Sequence, residues 1–356
     1  MKSHSEESSI CAAMRNHSDA LFHDICEKVF QAYPEIEEKF GNEGEDLTRE
    51  YVQYHIDYLT SAVCLGEKHI FLDYIGWLKI YFTSIQLPKE YILPPLRFLR
   101  QSVAGMLEPL EAAYVNGFID YALERYNELP VKENSYISSK MKLNVLAHQY
   151  LSALLRMDKA AAEALIVEKV RKGTPVRDVY LHVFQPVQWE VGRRWQENEI
   201  SVGMEHYITA ATQGIMARLY EFIFNPTGNG RSMVATNVSG DLHDLGIRMV
   251  ADFFEMEGWN TYYLGANTPQ ESILRMIRET NAELLAISAT LPLNLPRVKR
   301  LISYIRKEIP SRELRIIVGG KSFNAAQKLW RKVGADGYAS NAEMALREIN
   351  RLSRLN

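Results

Sequence analysis

The hexapeptide Asp241-Leu242-His243-Asp244-Leu245-Gly246 leads from an apolar run, "SMVATNV", into an amphipathic one, "GIRMVADFFEMEG". A neutral imidazole on such a loop can ligate a metal through one ring nitrogen. Asp241, two residues earlier, can accept the other ring N–H and raise the donor strength of the free nitrogen. Ser288 and Thr290 close a further apolar run, "ELLAISAT", and Gly319-Gly320 close another, "LRIIVGG". At the carboxyl ends of apolar runs, these residues stand where a parallel sheet puts ligand-binding groups. A second group is Trp195 with Glu205-His206: a flat aromatic surface, and a carboxylate near a helix N-terminus, where it stays ionised. Each has a plainer reading. A lone loop histidine is usually a surface residue, a glycine pair a tight turn, and Trp195 a packed ring beside a helix start at Glu205-His206.

The elements that must position these residues differ along the chain. From 231 onward, five short apolar runs alternate with amphipathic helical stretches. This predicts a doubly wound, five-stranded parallel sheet over 231–356, whose ligands bind beyond the carboxyl ends of the strands. Residues 140–224 carry four helical patterns with short connections, an antiparallel four-helix bundle, with Ser201 as the N-cap of its last helix. Residues 1–130 are helical throughout and rich in aromatics, with breaks expected at Pro34, Gly41–Gly44, Gly66 and Pro88. Pro130 with "VKENSYISSK" marks one boundary, and "NPTGNG" (225–230) reads as the clearest linker.

Composition narrows the function classes. The chain has 356 residues, 47% apolar and 24% charged, as in ordinary globular proteins. Its net charge of −3 divides as −10 for 1–130, +2 for 131–230 and +5 for 231–356. The acidic first third argues against direct nucleic-acid binding. No apolar run reaches the roughly 20 residues of a membrane helix, and the first residues lack a signal-peptide pattern, so a cytoplasmic location without membrane contact is expected. Cys11, Cys26 and Cys64 form no CxxC pair and are expected as buried reduced thiols.

Taken together, Asp241-x-His243-x-x-Gly246, then 41 residues, Ser288-x-Thr290, then 28 residues and Gly319-Gly320 resemble the cobalamin-binding domain of methionine synthase and its relatives. The resemblance spans 231–356, including "GADGYASNAEMAL". It implies that His243 is the lower axial ligand of cobalt and that Asp241 hydrogen-bonds it. The nucleotide tail would thread beside Ser288 and over Gly319-Gly320. The family usually carries Ser-x-Leu, so Thr290 is a variant.

Trp195, nine residues, then Glu205-His206, preceded by "VGRRW", is similar to the helical cap of cobalamin-dependent photoreceptors related to light-regulated repressors. That resemblance implies adenosylcobalamin, with Trp195 and Glu205 around the adenosyl group. The histidine that some of those receptors use to capture cobalt is Gln196 here, and His206 or His182 would be its substitutes. An all-helical domain ahead of such a module resembles the photocobilins, which implies a globin-like domain holding biliverdin as a second chromophore. His17, His23, His55 and His69 would be candidates there, with His55 and "FLDYIGWLKIYF" as pocket wall and Lys79, Arg97 or Arg100 meeting the propionates. The function so implied is a light-sensing receptor without turnover, signalling through an unidentified protein partner or self-association. The alternative is a corrinoid methyl carrier of a methyltransferase system, and a third reading is a cobalamin-responsive regulator indifferent to light.

Overall fold

The computed structural model describes residues 4–88, 91–223, 228–310, 313–325 and 328–354, without side-chain placements for 4–8 and 35–43. The linker reading at 225–230 falls partly on 225–227, outside the described residues. Two compact units emerge, Met1–Glu133 and Asn134–Asn356.

The first unit is helical: α1 (His4–Asn16), α2 (Ser18–Ala32), α3 (Glu35–Leu65), α4 (Lys68–Ser84), α5 (Leu93–Met106) and α6 (Pro109–Arg125). Its core includes Leu21 and Ile25 of α2, Ile56 and Leu59 of α3, and Leu96, Leu99 and Val103 of α5, which repeat at helical spacing. The break expected at Gly41–Gly44 is absent, because α3 runs through it for 31 residues. Each interior glycine costs about 1 kcal/mol against alanine. The buried stripe Val52-Ile56-Leu59-Val63 outweighs that cost. Gly66 does end the helix, at φ 59 and ψ 40, where a side chain would be strained.

The cysteine expectation is corrected as well. Cys11 of α1 and Cys64 of α3 form a disulfide with Cα atoms 4.8 Å apart, and only Cys26 is free and buried. Packing of α1 along α3 brings together residues 53 apart in sequence. The cations proposed for a pigment have other positions. Lys79 Nζ donates to the carbonyls of Tyr126 and Leu129 at 2.8 and 2.6 Å, capping the end of the unit, and Arg100 pairs with Asp120 at 2.6 Å. Arg97 is exposed. His17 and His23 each bond the carbonyl one turn back, and His69 meets Tyr121. His55 is buried against the Tyr74 hydroxyl at 2.8 Å, and burial lowers its pKa to about 4.

The second unit joins a helical bundle to a sheet. The bundle contains α7 (Asn144–Leu155), α8 (Lys159–Arg171), α9 (Val176–Val179) running through a π turn (Tyr180–Phe184) into α10 (Gln185–Gln196), and α11 (Val202–Arg218). Ser201 caps α11, accepting the Met204 N–H at 3.2 Å. The strands are β1 (Ser232–Asn237), β2 (Asn260–Gly265), β3 (Leu284–Ser288), β4 (Arg315–Gly319) and β5 (Gly337–Ala339). All pair in parallel, in the order β2-β1-β3-β4-β5. The helices are α12 (Leu245–Met256), α13 (Gln270–Glu279), α14 (Leu295–Glu308), α15 (Lys321–Ala325), α16 (Leu329–Val333) and α17 (Ala342–Ser353). Of the helix that "AAQKLWRKVG" predicts after β4, α16 forms the second half, and residues 326 and 327 lie outside the described residues.

Bundle and sheet share one apolar core, in which Tyr180, Phe184 and Ile215 pack with Phe253, Phe254 and Ile349. Polar ties accompany it. Tyr180 donates its hydroxyl to Asp252 at 2.8 Å, and Arg177 pairs with Glu257 at 2.5 Å.

Candidate functional site

Parallel register sets the ends of three strands in one row. Asn237 of β1 lies opposite Ser288 of β3, which lies opposite Gly319 of β4. Strand order reverses between β1 and β3, with β2 to one side of β1 and β3 to the other, the switch point at which open α/β sheets leave a ligand crevice. The loop 238–244 rises from this point and carries His243.

That loop is built around a buried carboxylate. Asp241 Oδ1 accepts the His243 ring Nδ1–H at 3.0 Å and the His243 main-chain N–H at 3.1 Å, while Oδ2 accepts the Thr290 N–H at 2.7 Å. Burial alone would raise the Asp241 pKa, but these three donors hold it below the usual carboxylate value. The hydrogen bond to Asp241 in turn raises the His243 pKa against the effect of burial, and the charges of Asp241, Glu205 and Asp244 add to that pull. Asp241 is wholly buried, whereas the His243 side chain is 54% exposed. Since a carboxylate only accepts, in the neutral ring Nδ1 carries the proton and Nε2 keeps the lone pair. The Thr290 contact runs through its main chain, so it does not depend on which side chain stands there.

The glycines separate by role. Gly320 has φ +99, and a Cβ on Gly319 would stand 2.7 Å from the Ala339 carbonyl oxygen. Sheet and loop themselves therefore require both, whatever they hold. Gly246, in the first turn of α12, has nothing within 4 Å of where a Cβ would stand, so that face of the helix start is open.

Several residues without a motif complete the loop. Asn237 Nδ2 donates to the His243 carbonyl at 3.0 Å, and Asn267 Oδ1 accepts from Ser239 Oγ and Gly240 N–H at 3.1 and 3.0 Å. Arg297 donates to the Ser239 carbonyl at 3.2 Å and to Asn294 Oδ1 at 2.8 Å. Asp244 accepts from Gln213 of α11 at 3.1 Å and from Tyr263 of β2 at 2.6 Å, which ties the loop to the bundle. The only sequence signal among them is Asn237, a polar residue closing an apolar strand.

On the bundle side, Trp195 is half-buried at the end of α10, and Glu205 and His206 lie in the first turn of α11. Glu205 Oε2 meets His206 Nδ1 at 2.6 Å, and Oε1 accepts from Thr209 at 3.0 Å. Thr209 also reaches Gln188 at 2.9 Å, and Gln188 reaches the buried Thr212 at 2.9 Å. Ahead of Trp195 on α10, Glu190 is 2% exposed. Glu190 accepts from Arg193 at 2.7 Å, Arg194 at 3.1 Å, Ser135 at 3.0 Å and the Tyr136 N–H at 3.0 Å. Burial would raise its pKa, but these donors bring it to about 2. His182 stands 4.0 Å from Asp178 on its own helical segment.

A cobalamin is the group the sequence pattern implies, and the residues present fit it. An exposed imidazole offers Nε2, the start of α12 is open at Gly246, and three buried polar atoms have no hydrogen-bond partner among the described residues. These are Asn237 Oδ1, Asn294 Nδ2 and Ser322 Oγ, all at or beyond the carboxyl ends of β1, β3 and β4.

Comparison with known proteins agrees on that group. Residues 231–347 match a model of the B12 binding domain, and 146–220 match a second model described as a B12 binding domain. The chain is 27% identical over 168 residues to dimethylamine corrinoid protein 3 of Methanosarcina mazei, covering 46% of this chain and 98% of the relative. It is 29% identical over 168 residues to the dimethylamine corrinoid protein of Methanosarcina barkeri, covering 46% of this chain and 76% of the relative. In fold it is similar to the solved monomethylamine corrinoid protein of Methanosarcina barkeri, at TM-score 0.52 and 22% identity, over 58% of this chain and 97% of that one. The chain carries cobalamin-binding domains. Among the described residues, no helix is long and apolar enough to cross a membrane.

The light-receptor expectation is overturned by these relatives, which are corrinoid proteins of dimethylamine and monomethylamine and favour the carrier alternative. The adenosyl upper ligand and the biliverdin rested on that expectation, and these relatives support cobalamin binding alone. Locally, Glu205 lies at a capped helix start, and its carboxylate is engaged by His206 and Thr209.

Proposed function

We propose that this protein is a corrinoid methyl carrier that serves partner methyltransferases. The observation that carries the reading is the half-exposed His243 ring at the β1–β3 switch point, with Nδ1 held by the buried Asp241. When bound, a corrinoid supplies a cobalt centre that accepts a methyl group and gives it up. The protein's own part is to hold and orient. His243 Nε2 would be the lower ligand, and Asp241 fixes the tautomer and ring direction while Thr290 N–H fixes Asp241. Ser288, Gly319 and Gly320 would border the crevice for the nucleotide tail, beside the open Gly246. Trp195, Glu205 and His206 would edge the upper side, where a partner must gain access. The 74% exposure of the His206 side chain suits such access.

The test uses the full chain loaded with methylcobalamin. Its methyl group should pass to a thiol acceptor only when a methyltransferase is added, and His243→Ala should lose the histidine nitrogen coupling in electron paramagnetic resonance of the Co(II) form. Methyl loss at the same rate without a methyltransferase would refute the carrier reading. An unchanged coupling in the variant would refute the ligand assignment.

A further inference from the structure

We propose that Asn237 is a second anchor of the cobalamin site. One end of its side chain positions His243, and the other end accepts a hydrogen bond from an N–H or O–H of the bound corrinoid. This inference rests on the cobalamin reading.

Asn237 ends β1 and has no exposed surface. Its amide nitrogen donates to the His243 carbonyl at 3.0 Å. The orientation of that amide is settled by chemistry. A carbonyl oxygen can only accept, so nitrogen must face His243, and the oxygen is the end left over. That oxygen is buried and, among the described residues, has no hydrogen-bond partner. A buried acceptor without a donor costs stability, and such groups in folded proteins are explained by a missing partner. Its place supplies the explanation. Asn237 stands in the strand-end row beside Ser288, below the loop whose histidine would hold cobalt.

The loop is braced from two sides. Arg297 holds the Ser239 carbonyl at 3.2 Å, and its guanidinium fills the space where a side chain on Gly240 would stand, at φ +84. Asn237 holds the other end of the loop at His243. Removal of its Nδ2 leaves the His243 carbonyl without this donor while the ring stays bonded to Asp241. A ligand that donates to Oδ1 would fix the side chain whose nitrogen fixes His243. Binding and axial ligation are thereby coupled through one amide group, and Asn237 is a positioning residue.

The experiment compares the full wild-type chain with Asn237→Ala and the nearly isosteric Asn237→Asp. The readouts are hydroxocobalamin affinity, melting temperature without ligand, and the nitrogen coupling in Co(II) resonance with isotope-labelled histidine. In Asn237→Ala, affinity should fall about tenfold, the scale of one lost hydrogen bond that leaves a partner unpaired. In both variants part of the Co(II) population should lose the histidine coupling. Wild-type affinity and full coupling in both variants would overturn the inference while leaving the cobalamin reading intact. Failure of the wild-type chain to bind hydroxocobalamin would overturn both. A reading free of variants comes from the side-chain carbonyl carbon of isotope-labelled Asn237. Its resonance should move downfield when hydroxocobalamin is added, and an unmoved resonance would overturn the proposal even if neither variant folds.

Discussion

Asp252 joins the bundle to the first helix of the sheet domain, and its removal has a worked magnitude. Its carboxylate is 7% exposed and accepts the Tyr180 hydroxyl at 2.8 Å. Burial raises its pKa from 3.8 to about 6; the Tyr180 bond and the Arg248 charge oppose the rise, and Glu255 adds to it. The folded pKa therefore lies above the unfolded one, and the folded state holds the proton more tightly. Stability from this group is fully present below about pH 4 and is lost as pH climbs through 6. Linkage over that shift puts the cost at roughly 0.5 kcal/mol at pH 4 and about 3 kcal/mol at pH 7.5. The amide introduced by Asp252→Asn cannot ionise, and its oxygen can still accept from Tyr180. The variant should be the more stable protein at pH 7.5, by an amount that shrinks towards pH 4. Hydrogen exchange of the α12 amides in the full chain, taken across that range, reads the difference at the right helix. A difference that does not change with pH, or a variant less stable at pH 7.5, would refute the reasoning.

Three further outcomes are expected. Glu190→Gln should destabilise the second unit by about 3 kcal/mol, because Arg193 stays 7% exposed with one counter-charge removed; denaturant titration checks this. Reduction of Cys11–Cys64, which closes a separation of 53 residues, should cost the first unit up to about 4 kcal/mol, read as a lower melting temperature that Cys64→Ser reproduces without reductant. Gly319→Ala should lower the melting temperature of the ligand-free protein, since its Cβ would meet the Ala339 carbonyl at 2.7 Å; an effect seen only with cobalamin present would contradict that account.

Strands β1, β3 and β4 were legible because apolar runs of strand length, each closed by a polar or glycine residue, leave few alternatives to a buried parallel sheet. Asp241 and His243 were legible for a related reason. A two-residue offset lets a carboxylate reach an imidazole within one loop, so the sequence already contains the contact. The helix through Gly41–Gly44 was misread because local propensity is weak beside the packing of Val52, Ile56, Leu59 and Val63. Trp195 and Glu205-His206 carried the resemblance to light receptors, but a capped helix start after a short turn produces the same spacing, so that pattern could not separate a receptor from a carrier.

By itself, then, the order of residues determined the parallel sheet, the loop carrying the histidine and the carboxylate that orients it, since all of these depend on neighbours in the chain. Contacts between distant segments were decided only in three dimensions. The Cys11–Cys64 disulfide, the Asp252–Tyr180 tie, the Gln213–Asp244–Tyr263 junction and the grip of Thr290 on Asp241 join residues that no local pattern pairs. Asn237 belongs to both: its place at a strand end is written in the chain, but the unanswered oxygen exists only because folding buries it.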